Sequence, residues 1–227
     1  MVKKRYERNI NALTSEENER LKGFRVCVAG CGGLGGYVIE HLGRLGVGFI
    51  TVVDGDVFEE SNLNRQLLSD EKVLGESKAI QAKTRMSMVN SDIEVKAVNE
   101  ILAEHNCEKI LEGHDIIIDA LDNVATRFIL EEVAEKLNIP LIHGAIAGWY
   151  GQVCVIMPGK PVFSKIYRAP DEKGMENEQG NLSFTAAVTA SVEVAEAIKV
   201  LLGRNDTLAG KFLTLDLLNN EFEVFEI

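Results

Sequence analysis

Short, continuous apolar runs recur along the chain, each followed by a stretch of helical period. Arg25-Val26-Cys27-Val28-Ala29, Phe49-Ile50-Thr51-Val52-Val53 and Asp115-Ile116-Ile117-Ile118-Asp119 are too brief for core helices and lack polar alternation, which predicts strands covered on both faces. A helix is expected between the first two, after a glycine-rich turn. Another is expected from Glu76 to Asn90, before the alternating strand Ile93-Glu94-Val95-Lys96-Ala97-Val98, and a weak helix then runs to Glu112. A helix from Ala125 to Leu137, closed by Asn138 and Pro140, precedes strands at Leu141–Ala145 and Gln152–Met157.

Alternating strands and helices of this kind predict an α/β fold, a doubly wound, Rossmann-like and mostly parallel sheet with helices on both faces. Ligands in such sheets sit outside the carboxyl ends of the strands, which puts Gly30, Asp54 and Asp122 on one edge. Residues 1–22 are polar and helical in pattern, with Leu13 and Leu21 as sparse apolar anchors, and read as an arm laid over a neighbour. Residues 158–182 hold Pro, Gly and many charges without periodicity, the mark of a long mobile crossover loop of the kind that forms lids. The helix expected from Ser183 to Leu202, stopped at Gly203, has too few charges for an exposed surface and belongs in the core or in a dimer interface. Two β-like runs around Asn219-Asn220 predict a C-terminal antiparallel hairpin, and the whole of residues 1–227 is expected to form one domain.

Composition narrows the function classes. An apolar fraction of 46% and a charged fraction of 26% are globular values. The apolar runs fall short of a membrane span and the N-terminal MVKKRYERNI lacks a signal-peptide core, so a cytoplasmic protein is expected. A formal net charge of -11 argues against nucleic acid as the main partner. Cys27, Cys31, Cys107 and Cys154 form no C-x-x-C pair, so neither a zinc site nor a disulfide framework is expected and the thiols read as buried. His41, His105, His114 and His143 show no ligand spacing and read as structural or surface residues.

Candidate chemistry concentrates between Val26 and Gln66. Gly30, Gly32 and Gly35 fit G-x-G-x-x-G after a strand, where glycines permit a tight turn and the helix N-terminus offers free N–H groups to a phosphate. Asp54 ends the next strand, where a carboxylate can accept from ribose hydroxyls. Asn62, Arg65, Gln66, Lys78, Asp119, Asp122, Asn123 and Arg127 follow. A dehydrogenase has no use for an Arg and a Lys on phosphate, whereas phosphoryl or nucleotidyl transfer needs cations where negative charge develops, and a strand-end carboxylate can hold Mg²⁺. Rival readings are a surface cation for Arg65, a solvated helix start for Lys78, a plain helix N-cap for Asp122, and salt bridges or turn contacts for Asp56, Asp119 and Arg127.

Arg5-Tyr6-Glu7-Arg8, Gly30-Cys31-Gly32-Gly33-Leu34-Gly35, Asp54-Gly55-Asp56, Ser61-Asn62-Leu63-Asn64-Arg65-Gln66, Gly75-Glu76-Ser77-Lys78 and Leu121-Asp122-Asn123 with Arg127 together resemble the ThiF/MoeB/HesA family, bacterial relatives of ubiquitin-activating enzymes. The resemblance implies adenylation of a carboxylate by MgATP with release of pyrophosphate, usually at the C-terminal glycine of a ubiquitin-fold sulfur carrier such as ThiS or MoaD. It implies that Asp54 holds the ribose, that Asn62, Arg65 and Lys78 hold the phosphates, and that Asp122 holds Mg²⁺, with Gly30, Gly32, Gly33, Gly35, Asp56, Gln66 and Asn123 around the nucleotide. Arg8 matches the family's arginine finger, which reaches the partner subunit's site in a homodimer, although Asn9 stands where Gln is common. The two C-x-x-C pairs that bind zinc in many members are missing, and residues 158–182 lack the cysteine that some members use covalently, so the chemistry expected stops at the acyl-adenylate. A small-molecule carboxylate, or dehydration of a modified tRNA base, is the enzymatic alternative. A non-catalytic nucleotide-binding protein and an NAD-dependent oxidoreductase are the readings from other classes.

Overall fold

A computed structural model of the chain describes residues 2–167, 169 and 179–227. Its sheet has the order β3-β2-β1-β4-β5-β6-β7-β8, with β1 at Arg25–Ala29, β2 at Phe49–Val53, β3 at Glu94–Val98, β4 at Ile116–Asp119, β5 at Leu141–Ala147, β6 at Tyr150–Ile156, β7 at Lys211–Asp216 and β8 at Glu221–Glu226. The first five strands in that order pair in parallel and the last three pair antiparallel. The mostly parallel sheet with C-terminal antiparallel strands is therefore as the sequence predicts. β1 and β4 are neighbours although β2 and β3 intervene in sequence, and this reversal of winding opens a crevice at their carboxyl ends.

Six of the helices are α1 at Ser15–Arg20, α2 at Gly33–Leu45, α3 at Lys78–Val89, α4 at Cys107–Leu111, α5 at Val124–Leu137 and α6 at Phe163–Ile166. α3 starts two residues later than the expected Glu76, because the Ser77 hydroxyl caps it by accepting from Ile80 N–H. α5 ends where Asn138 turns left-handed.

Two expectations need correction. The N-terminal arm packs on its own chain: Tyr6, Leu13 and Leu21 are buried, the Tyr6 ring fills the space above Gly46, and its hydroxyl accepts from Asn90 Nδ2 at 2.8 Å. Lys3 and Arg5 pair with Asp92, fastening the arm further. Tyr6 supplies the apolar surface that the sparse leucines seemed to deny the arm. The second concerns residues 158–182. Within them α6 is clamped onto α5, whose Glu131 accepts from Val162 and Phe163 N–H while Glu135 accepts from Gly159 N–H. The remainder of the expected lid lies mostly outside the described residues.

The long helix α7, Ser183–Leu202, is buried in the core against α2, β5 and β6. Glycines on the sheet let it approach: a Cβ on Gly151 would lie 2.2 Å from Thr189 Oγ1, and one on Gly144 would lie 2.3 Å from the Glu193 carboxyl carbon. Glu193 is fully buried and, among the described residues, neither carboxyl oxygen has a hydrogen-bond partner. Burial pushes its pKa well above the ordinary 4.5, with Asp119 adding repulsion, so the carboxyl is held neutral. All four cysteines are buried, as expected, and burial raises every thiol pKa.

The folded state thus keeps a proton on Glu193 that the unfolded chain releases above pH 4.5, so this group makes stability fall as pH rises from 4.5 toward its folded value. Glu193→Gln lacks that loss. The difference in Tm, variant minus wild type, should climb with pH by roughly 3–5 °C per unit. Thermal unfolding from pH 5 to 8 checks it, and a flat difference would show that Glu193 is ionised in the fold.

Candidate functional site

A cavity of about 560 Å³ lies at the crevice between β1 and β4. Its floor is the glycine turn. Gly30 has φ +98°, donates to Val53 C=O at 2.8 Å, and a Cβ there would lie 2.6 Å from the Ala120 carbonyl oxygen. Gly32 is the N-cap of α2 and has no side chain to satisfy the helix's first N–H groups, which open toward the cavity with Gly32 and Gly33 in its wall. Gly35 is set back from the wall, packed so closely that a Cβ would lie 1.9 Å from Gly30 C=O.

Asp54 also lines the cavity, but its carboxylate already accepts from Cys31 N–H and Asp56 N–H, both at 2.8 Å. Burial raises its pKa against those hydrogen bonds. Each carboxylate oxygen retains acceptor capacity for a hydroxyl. Asp54 therefore both holds the turn and faces the ligand space.

Beyond β2 the chain brings cations to the cavity. Arg65 lies over the start of α2, its Nη1 donating to Ser61 C=O at 3.1 Å and Asn64 Oδ1 at 2.9 Å. The Lys78 side chain is largely buried in the wall, its ammonium 3.2 Å from Asp56 Oδ2. Asp56, expected among the nucleotide contacts, is thus the counter-ion of Lys78 and a wall residue as well. Gln66 is also buried there, and its Oε1 has no partner among the described residues, an acceptor left for a ligand or water. Asn62 is not in the wall: its Oδ1 accepts from Glu59 N–H at 3.0 Å and ties the turn that carries Arg65.

The opposite wall is the segment after β4. Asn123 caps α5 by accepting from Thr126 N–H at 3.0 Å, which leaves the exposed Asp122 carboxylate free of hydrogen bonds and ion pairs among the described residues. The plain-cap reading thus fits Asn123 and not Asp122. A carboxylate so placed is the kind of hard oxygen ligand that Mg²⁺ accepts, so the wall fits a nucleotide-bound cation. Arg8 is exposed, outside this wall, and without a hydrogen bond or ion pair among the described residues.

A buried polar cluster adjoins Asp122. Asp119 pairs with Arg127 at 3.5 Å and accepts from His143 Nδ1 at 2.7 Å. His143 lies in contact with the Tyr167 hydroxyl at 3.1 Å, and burial holds its pKa below the ordinary 6.5, favouring the neutral ring. From sequence, Asp119 and Arg127 read as salt-bridge or turn contacts and His143 as a structural or surface residue, while nothing marks Tyr167. Only the β4–β5 register, Asp119 opposite His143, brings them together. Arg127 and Ile146 are shared with a second cavity, a groove of about 670 Å³ on the open face of β5–β8. Among the described residues no three His, Cys, Asp or Glu side chains gather as metal ligands, and no helix is long and apolar enough to cross a membrane.

A family model described as the ThiF family matches residues 6–227. The SAMP-activating enzyme E1 of Haloferax volcanii is 34% identical over 224 residues, covering 96% of this chain and 83% of that protein. The sulfur carrier protein adenylyltransferase of Thermus thermophilus is 38% identical over 216 residues, covering 91% of this chain and 80% of that protein. The crystal structure of E. coli MccB with ATP shares the fold, with a TM-score of 0.82 at 23% identity over 100% of this chain and 71% of that one.

Gly35→Ala tests the floor of the cavity. Its methyl group has only the Gly30 carbonyl to meet, so the variant should lose about 3 kcal/mol or more of stability in urea unfolding. Wild-type stability in this variant would mean that the turn has slack.

Proposed function

The chain belongs to the ThiF family, and from that premise we propose that it is an ATP-dependent adenylyltransferase acting on the C-terminal carboxylate of a ThiS- or MoaD-like ubiquitin-fold sulfur carrier in the cytoplasm. The observation that carries the reading is the convergence of an uncapped helix start, Arg65, Lys78, the unpartnered Gln66 amide oxygen and a free Asp122 around one cavity. Relatives covered over most of their length are named for E1 activation and for adenylation of a sulfur carrier, which favours a protein acceptor over a small acid.

The acceptor carboxylate attacks the α-phosphorus as its bond to the pyrophosphate oxygen breaks, giving an acyl-adenylate and pyrophosphate. Arg65, Lys78 and the N–H groups at the start of α2 face the phosphates and stabilise the charge that builds on their oxygens. Asp54 accepts from the ribose. Asp122 would hold Mg²⁺, which would supply further charge neutralisation. The groove sharing Arg127 and Ile146 with the nucleotide cavity gives an acceptor tail a route to the α-phosphate. The sequence offers no exposed thiol among the described residues for a covalent intermediate, which supports chemistry ending at the adenylate.

Calorimetry should show MgATP binding more tightly than NAD⁺, which lacks a γ-phosphate and leaves Arg65 and Lys78 poorly matched; the reverse order would overturn the reading. Arg65→Ala should lower ATP–pyrophosphate exchange, measured with a carrier peptide ending in Gly-Gly, on the order of 10²-fold.

The active species proposed is a homodimer in which Arg8 acts in trans. Its support is that Tyr6 pins the arm to its own chain while Arg8 is exposed and outside its own cavity wall. Mixing inactive Arg8→Ala and Asp122→Ala chains should then restore activity, since a mixed dimer holds one site with both residues. Full exchange makes about half the dimers mixed and gives roughly a quarter of wild-type rate. No rescue despite proven exchange would place Arg8 in cis or outside the mechanism.

A further inference from the structure

Asp122 makes no hydrogen bond among the described residues, yet the peptide just before it is held from both ends. Leu121 N–H donates to Asp119 Oδ1 at 3.0 Å, and the Leu121 carbonyl accepts from Arg127 Nη2. Asp119 and Arg127 are paired with each other, so one buried ion pair grips the donor and the acceptor of a single residue. On the other side of Asp122, Asn123 is fixed as the α5 cap. The free carboxylate therefore hangs between two pinned points.

That ion pair is also closed into a ring. Arg127 Nη1 donates to the Tyr167 hydroxyl at 2.7 Å, the hydroxyl donates to His143 Nε2 at 3.1 Å, and His143 Nδ1 donates to Asp119 Oδ2 at 2.7 Å. The directions agree throughout. With its one hydrogen on Nδ1, a neutral imidazole accepts at Nε2, and the Tyr167 oxygen keeps a lone pair for the guanidinium. Gln152 Nε2 braces the same corner, 3.2 Å from His143 Nε2 and 3.4 Å from the Tyr167 hydroxyl, and in a connected network of this kind removal of one member is felt by the others.

The ring also spans two cavities. Tyr167 lines the groove on β5–β8, Asp122 lines the nucleotide cavity, and Arg127 lines both. We propose that Asp119, Arg127, His143 and Tyr167 are positioning residues for Asp122, and that the Tyr167 hydroxyl, in the groove wall, sets nucleotide affinity in the neighbouring cavity through them. This rests on the reading of Asp122 as a nucleotide-site residue. An acceptor that displaced the Tyr167 hydroxyl would loosen the Leu121 peptide, and one that left it in place would keep Asp122 set for the nucleotide.

The rival is that Tyr167 is only an aromatic packing residue, since its ring sits edge-on to His143, Phe163 and Phe128. Tyr167→Phe keeps the ring and deletes the hydroxyl, which separates the two. MgATP binding would be measured by equilibrium dialysis, up to millimolar nucleotide, on wild type, Tyr167→Phe, Asp122→Asn and the double variant. Positioning through Asp122 requires non-additivity: Tyr167→Phe should weaken MgATP about tenfold in the wild-type background and less than twofold beside Asp122→Asn. Arg127→Lys, which keeps the charge and loses the simultaneous contacts to Leu121 and Tyr167, should follow the same order with a larger loss. Equal losses in both backgrounds, or wild-type affinity in Tyr167→Phe, would overturn the proposal while leaving the adenylyltransferase reading intact. Failure of the wild type to bind MgATP would overturn both.

Discussion

The site depends on a contact that contains no side chain: residue 35 stands over the carbonyl of residue 30 with no room for even a methyl group between them. That approach lets α2 begin directly above the ends of β1 and β4. The turn below it is bound on both sides, through Gly30 N–H to Val53 C=O, through Cys31 N–H to Asp54, and through the Ala120 carbonyl lying against Gly30. Three strand ends and one helix start are therefore locked into a single backbone arrangement before any ligand arrives. Such fixed N–H groups need little reorganisation when an anion binds, which is the physical basis of electrostatic preorganisation. Arg65 and Lys78 then act on a frame they do not have to build.

Around this frame the protein keeps buried carboxyl groups in two ways. Asp119 is fully buried and satisfied by Leu121 N–H, His143 and Arg127, so its charge is compensated in place. Glu40 is handled similarly by Arg44 and Arg85, which outweigh the burial that would raise its pKa. Glu193 has no hydrogen-bond partner among the described residues and stays neutral instead. The difference follows position: Asp119 and its partners adjoin the ligand space, where a directional network fixes geometry, whereas Glu193 sits between α7 and the sheet, where a neutral carboxyl costs less than an unpaired charge.

Much of this was legible in the sequence where the signal is local. The glycine turn, the strand ending in Asp54, the Ser183–Leu202 helix and the hairpin at Asn219-Asn220 follow from periodicity and turn chemistry within a few residues. What was not legible depends on partners distant in the chain. Tyr6 belongs to its own chain because Gly46 and Asn90 lie beneath it. α6 is ordered by Glu131 and Glu135, residues that read only as polar positions of another helix. Asn62 turns inward because Glu59 N–H needs an acceptor, and nothing in SNLNRQ distinguishes that from a ligand contact. The His143–Tyr167–Arg127 ring required knowledge that β4 and β5 are neighbours in a particular register.

The charge around the nucleotide cavity bears on two features of the proposed function, the divalent cation and the second copy. Among the described residues its wall holds three cations, Arg65, Lys78 and Arg127, against four carboxylates, Asp54, Asp56, Glu100 and Asp122, a formal balance of minus one before a triphosphate enters. Two of the cations are also engaged at home, Lys78 with Asp56 and Arg127 with Asp119. A chain of net charge -11 adds an unfavourable field from outside. The α2 terminus contributes roughly half a positive charge, too little to reverse that sign when a nucleoside triphosphate arrives. Binding a polyanion here thus calls for positive charge beyond that of these described residues. Among the described residues Asp122 is a wall carboxylate without a partner and Arg8 is exposed, so the divalent cation and the second copy's arginine proposed above are two sources that these residues would accommodate.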